Sequence, residues 1–471
     1  MDPDDLALAA VQQYLEEQGW YSALRALEQE SRQAYEADRL PQASTLLQMV
    51  HGQMLAQASE PSTTEERLRR DALSALDAAH PGPDAVPSRE LAAWGRVHGG
   101  AGVTCVAALA PQRGREVVLS CSVNGSVAWT DVSTGETLCL DQLASSGILC
   151  AAAHPTRPAV CALGCMDGGI VVIDGAPALA GGPPAVLARC VGAHRKYAVA
   201  LAWTGAGDAL VSGAWDDSVA LHAWDRAERM LHTLRRLPLR GHVTALARLG
   251  DRAFLAAVRG EPALLELRAE GSCAAGVTDG ATGANTPAPA ATTPAPCLAM
   301  DLVRVREHSL NEDPDDAHVS FSAMAASLSP DGRFLGVATD AGRIVILAPV
   351  GEQGAAWRPV RRIFGLSNAD RFHIWSLAWV GGEGGSADGP ACAADEDTRE
   401  ESSSHAPAAP SSFSLAVAAP GGEVRIFSIA TSGLLCTLRA HSPQAVRAIA
   451  ACPGHRLVSA SLDGSIKLFG P

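Results

Sequence analysis

Apolar positions recur with two different periods along this chain of 471 residues. In residues 5–31, DLALAAVQQYLEEQGWYSALRALEQES, they fall at Leu8, Val11, Tyr14 and Leu15, then at Ala23, Leu24 and Leu27. That is a helical period on each side of Gly19, and a glycine there suits the left-handed cap that ends a helix. From residue 91 onward the pattern shortens to strand-like runs broken by tight turns, in a unit of about 35 to 45 residues. The chain thus predicts a small all-α segment followed by a long, mostly β one.

Two amphipathic helices of about ten residues cannot both bury their apolar stripes on one another and stay folded alone. Residues 1–40 are therefore expected to pair with a second copy in a four-helix arrangement, or to pack on the rest of the chain. Residues 41–79 keep helical composition, interrupted at Pro41 and at 60–64, and predict one or two further helices or a coiled continuation. The Pro- and Gly-rich run HPGPDAVPS opens a linker over 80–90.

The repeats are clearest at 210–225, LVSGAWDDSVALHAWD, and 457–470, LVSASLDGSIKLFG, each preceded by a His-containing turn. Both read strand, Asp-Asp or Asp-Gly turn, strand, which places two antiparallel strands side by side. Weaker copies lie at 118–131, 161–175, 254–267, 328–347 and 415–428, which makes seven. After the last copy the chain runs one strand short at Pro471, and LAAWGRVHG (91–99) has the character of the missing outer strand. Its pairing onto the last copy would close a ring without a long exposed edge.

Two resemblances follow. Leu8, Val11, Tyr14, Leu15, Gly19, Ala23, Leu27 and Glu30 resemble the LisH (lissencephaly-type homology) motif, with Leu27 where that family often has Phe. The resemblance implies homodimerisation. The repeats resemble the WD40 family over about four fifths of the chain. Gly241-His242 is an intact Gly-His, Ala193-His194 and Ala440-His441 keep the His, and the turn acid is Asp167, Asp216 or Asp463, with Asn124 in the first copy. Trp-Asp survives only as Trp224-Asp225, two residues later than alignment places it. Most copies thus depart from the Asp–His–Ser–Trp network that braces a blade in that family. The implied fold is a seven-bladed β-propeller over 91–471, preceded by the LisH-type hairpin.

Three segments fall outside the blade pattern: 271–297, rich in Ala, Thr, Gly and Pro; the acidic 307–318; and the acidic, Ser-rich 381–412. Their composition cannot bury a core, so they are expected as disordered insertions. Ser402, Ser403 and Ser404, with acidic residues upstream, suit an acid-directed kinase.

Charge and chemistry narrow the function. A net charge of -14 speaks against a general nucleic-acid binder, which needs clustered Lys and Arg. No apolar run approaches the roughly 18 residues of a membrane span, and the acidic N-terminus lacks the basic start of a secretory signal. A non-secreted protein, nuclear or cytoplasmic, is expected, with its twelve cysteines acting mainly as small hydrophobes. Cys161 and Cys165 with His154 lack a second ligand pair, so no metal, and no cofactor, is expected. There is no phosphate loop, HExxH or GxSxG, and an enzyme reading has nothing positive behind it.

In WD40 propellers partners dock on the narrow face, at residues flanking the blade turns. The alignment carries this to Trp215, Leu462, Met166, Tyr197 and His373, with Arg195 and Lys196 beside Tyr197. An exposed aromatic next to cations suits a hot spot, although Tyr197 and Trp215 could equally pack between blades. Relatives with this module order include dynein regulators, corepressor subunits, splicing factors and ubiquitin-ligase subunits. The expectation is a dimeric scaffold docking proteins or peptides. Recognition of a modified peptide or histone tail stays open beside it.

Overall fold

The computed structural model describes residues 3–17, 20–36, 40, 64–78, 85–112, 115–179, 182, 184–226, 228–272, 299–311, 321–350, 356–366, 374–381 and 413–471. Among the described residues the fold is mostly β, with three helices near the N-terminus. The first two, Pro3–Glu17 and Tyr21–Ser31, flank the predicted break; Gly19 itself, and the helices expected over 41–63, lie outside the described residues. Ala9 and Ala10 pack with Leu40, and the chain after the second helix folds back so that Gln12 Nε2 donates to Gln33 O at 2.8 Å. Tyr14 meets the exposed Trp20 edge-on at 6.0 Å.

The third helix, Thr64–Ala78, does not stand apart on a tether. Its apolar stripe puts Leu73 and Leu76 into a core cluster with Trp375, Trp379, Phe413 and Ile429. Arg361 pairs with Asp77 at 2.5 Å beside that cluster. An amphipathic helix gains most of its stability from such burial, which explains its place against the strands Ile344–Val350 and Ala356–Ile363. The expected linker over 80–90 is shorter than its composition suggests: Val86 is buried, Ser88 N donates to Gly470 O at 2.8 Å, and a strand starts at Arg89. Hydrogen-bond partners on the last strand, invisible to composition, set that boundary.

Among the described residues the strands form six sheets. Four-stranded antiparallel sheets cover 103–140, 243–309, 323–363 and 377–438, and a fifth joins Arg89–Trp94 to the three strands of 446–470. The eight-stranded sheet consists of two antiparallel four-strand runs, 148–190 and 198–238, joined by the single parallel pair Met230–Arg189. First strands stand side by side in sequence, from Val103–Gln112 through Ile148–His154, Ala198–Trp203, Val243–Arg248, Ala323–Leu328 and Leu377–Gly381 to Val446–Cys452, which returns to the first. This is a propeller-like ring, with apolar clusters between neighbouring sheets. The expected closing strand is present, with Arg89 opposite Gly470 and Trp94 opposite Ile466.

Turn chemistry positions the loops. At Asp167-Gly168 the glycine has φ 80°, and a Cβ there would lie 2.3 Å from His194 O, so the turn nests under the neighbouring loop only without a side chain. All three expected insertions are shorter than read, the last by Gly381, which ends the strand Leu377–Gly381. Glu307, His308 and Ser309 belong to the strand Ala299–Ser309, where pairing with Ala263–Ser272 overrides their acidic composition. That second strand likewise takes in Gly271 and Ser272. Residues 273–297, 312–318 and 382–412, with Ser402, Ser403 and Ser404, lie outside the described residues. No helix among the described residues is long and apolar enough to cross a membrane.

Candidate protein-docking face

One local geometry repeats around the ring. At the loop end of the second strand, the next residue's N–H donates to the loop entering the first strand: Val123 to Gly102, Met166 to Gly147, Trp215 to Tyr197, Arg259 to His242 and Asp340 to Ser322. Leu462 follows Ser461, the partner of Val446, in the same way. These six residues therefore occupy one equivalent position on one face. Val123, Trp215, Leu462, Arg259 and Asp340 are exposed, and Met166 is half-buried against Gly147.

In the 198–238 unit this position carries an aromatic row. Tyr197 and Trp215 have ring centroids 5.3 Å apart, and Trp215 stacks on His242 at 5.8 Å with an interplanar angle of 16°. His242 Nδ1 bonds to Asp217 Oδ1 at 2.6 Å, which holds its ring in the row. Arg195 and Lys196 are exposed on the same loop, and their side chains form no hydrogen bond or ion pair among the described residues. The loop is fixed from beneath, because Arg195 N donates to Asp216 Oδ2 at 2.9 Å. The arrangement offers apolar ring faces with cationic tips on a backbone that is already ordered.

The structure thus brings Tyr197, Trp215, Arg195 and Lys196 into one patch. Met166 and Leu462 sit at the equivalent position of other sheets, outside that patch. His373 lies outside the described residues. The sequence reading missed Val123, Arg259, Asp340 and the stacked His242. Val123 precedes Asn124, already matched to the turn acid, so the step from turn acid to preceding residue that gave Met166, Trp215 and Leu462 would have found it. His242 gives no such signal, since its partner sits on the neighbouring sheet. In the hairpin, Leu8, Val11, Tyr14, Leu15 and Leu27 are half-buried and Ala23 is exposed.

The buried histidines brace the sheets. His194 bonds to Ser212 Oγ at 2.7 Å and Asp216 Oδ1 at 3.2 Å; His441 bonds to Ser459 Oγ at 2.8 Å and Asp463 Oδ2 at 3.2 Å. His98 reaches Ser120 Oγ at 2.9 Å and Ser126 Oγ at 2.7 Å. Burial lowers the pKa of all three, to about 4 for His98, so each is held neutral. In the 198–238 unit Ser212 passes the chain on to His222 at 2.7 Å, whose pKa burial depresses to about 3. Histidine stands at the position that the WD40 resemblance assigns to tryptophan. Trp224, two residues on, packs instead with Trp203 at 5.5 Å and His154 at 5.5 Å, with Arg226 over its ring at 4.8 Å.

The three residues weighed for a metal do not converge. His154 Nε2 bonds to Gly207 O at 3.0 Å, and burial pushes Cys161 and Cys165 up to about 12. Among the described residues, one group of three metal-capable side chains clusters, Asp225, Glu228 and His232 near the start of the outer strand Met230–Pro238. Its members are partly or fully exposed.

Residues 432–469 match the family described as WD domain, G-beta repeat. The matched stretch holds four strands, Leu434–Leu438, Val446–Cys452, Arg456–Ser461 and Ile466–Gly470, and includes His441 and Asp463 of the bracing network. No curated protein matches the chain.

Proposed function

We propose that this protein is a non-catalytic dimeric scaffold that docks partner proteins or peptides on the loop face of a seven-bladed WD40 propeller. The observation that carries the reading is the exposed Tyr197–Trp215–His242 row flanked by Arg195 and Lys196 on a hydrogen-bonded loop. The blade count is supported by four-strand runs at 103–140, 148–190, 198–238, 243–309, 323–363, 377–438 and 446–470 with Arg89–Trp94. WD40 repeats generally serve as interaction modules without catalysis, which agrees with histidines committed to bracing. Dimerisation is supported by the LisH-like spacing and by the exposed Trp20 and Tyr21 at the start of the second helix. Two coupled docking faces raise avidity without new contacts.

Affinity purification with mass spectrometry tests the reading on the intact chain, a Tyr197→Ala/Trp215→Ala variant and a chain lacking residues 1–40. Partners should fall away in the first variant and thin out in the second. Recovery of the same partners at the same yield from the double variant refutes docking at this row. Light scattering should report a dimer for the intact chain and a monomer for Leu8→Glu/Leu15→Glu.

A second reading, recognition of a modified peptide or histone tail, is favoured by Asp217 beside the stacked Trp215 and His242, since aromatic faces with a nearby carboxylate suit a cation. Arg195 and Lys196 oppose it. Tighter binding of a trimethyl-lysine peptide than of an acidic one would select it.

A further inference from the structure

Below the exposed ring lies a second tier. The first strands carry the same β-bulge in six units, and the residue at each bulge is Thr104, Leu149, Val199, Thr244, Met324 or Arg447. Thr104 donates to Ile148 O and Thr244 to Ala323 O at 2.7 Å, so both hydroxyls are committed to the neighbouring first strand. Leu149, Val199 and Met324 are apolar. Arg447 is the one charge of the six.

Its strand fixes its place in the fold. Val446 packs with Val424 and Leu438 of the preceding sheet, and Ala448 packs into the cluster of Cys105 and Leu109 on the following one. The seven first strands stand next to one another as the inner ring, so Arg447 sits on the innermost strand of its sheet, at the bulge between two inter-sheet cores. It is half-buried and has no hydrogen bond or ion pair among the described residues. Burial depresses its pKa below the ordinary arginine value. A guanidinium carries five donors, and withdrawing it from water without an acceptor is unfavourable. Leu462, exposed on the loop face, lies one residue beyond Ser461, the strand partner of Val446.

We propose that Arg447 is an anion receptor, which takes the carboxylate or phosphate group of a ligand entering the ring axis from the loop face beside Leu462. The planar guanidinium suits both oxyanions in a two-bond, charge-assisted contact. The site uses the ring of first strands but not the Tyr197–Trp215–His242 row, so it stands or falls independently of docking there.

The test uses the full chain, titrated with N-acetylglutamate and with N-acetyl-O-phosphoserine at constant ionic strength, with calorimetry and thermal unfolding as readouts. At least one anion should bind saturably and raise Tm. Arg447→Met should weaken that binding by about tenfold or more, while Arg447→Lys, which keeps the charge without the fork, retains part of it. The tighter of the two anions identifies the source as carboxylate or phosphate. Without ligand Arg447→Met should melt no lower than the wild type, because it removes a half-buried charge that has no partner among the described residues, which separates a binding defect from a folding one. Saturable binding that survives Arg447→Met at unchanged affinity overturns the proposal, as does a wild type that responds to neither anion at tens of millimolar.

Discussion

The 198–238 and 243–309 units are neighbours with the same strand order, yet they are braced in different places. In the first, Asp216, His194, Ser212 and His222 form a continuous buried chain beneath the turn. In the second, Ala256 stands where Ser212 stands, and the stabilising polar group moves outward. There His308 Nε2 bonds to Glu266 at 2.9 Å, Arg306 pairs with Glu266 at 3.2 Å, and Trp357 N of the next sheet donates to His308 Nδ1 at 3.1 Å. The difference teaches that a sheet of this kind requires a satisfied buried network but not a fixed address for it. It also explains the aromatic row, since His242, not needed under its own turn, bonds across to Asp217 and stacks on Trp215.

Acid should break the comparison most strongly. His154 and His222 lie in or against the 198–238 unit, with pKa values lowered by burial to about 4 and about 3. Below pH 6.5 the unfolded chain takes up protons that these folded sites refuse until near pH 4. Stability is therefore fully present above about pH 6.5 and falls as pH drops, by roughly 1.4 kcal/mol per unit for each histidine. Denaturant midpoints between pH 7 and 4.5 measure this. Hydrogen exchange at pH 5 should show strands 209–225 opening before 253–268.

His194→Ala should cost about 3 kcal/mol in equilibrium unfolding, because it removes the link between the buried Ser212 and Asp216 and leaves a cavity. Glu266→Ala, which removes the acceptor of both His308 and Arg306, should cost about 2 kcal/mol. An equal loss from both variants would support interchangeable bracing; a negligible loss from Glu266→Ala would refute it. His242→Ala should change stability by only about 0.5 kcal/mol, since its pair with Asp217 is partly exposed. It should nonetheless weaken partner recovery on the Tyr197–Trp215 row.

Much of this architecture was legible in the residues. The helical period around Gly19, the Asp-Gly turns and the closing strand near Trp94 are local patterns, and local backbone preference fixes them. What sequence did not carry are relations between sheets: the outer network at Glu266 and His308, the crossing of His242, and the docking of Leu76 against Trp379. The site was legible where an aromatic stood beside a recognisable turn, as at Trp215. It was legible but passed over at Val123, next to the recognised Asn124 turn, and hidden at Arg447, where the bulge is a property of paired strands.

The closing strand has a consequence in time. Glu90 and its partner Lys467 are 377 residues apart, so the edge that seals the ring is among the first parts of the sheet region made and the last to be matched. At about 5–20 residues per second of synthesis, Arg89–Trp94 waits on the order of 20 to 75 seconds for its mate. During that interval its hydrogen-bonding edge belongs to whatever nascent-chain binder reaches it first.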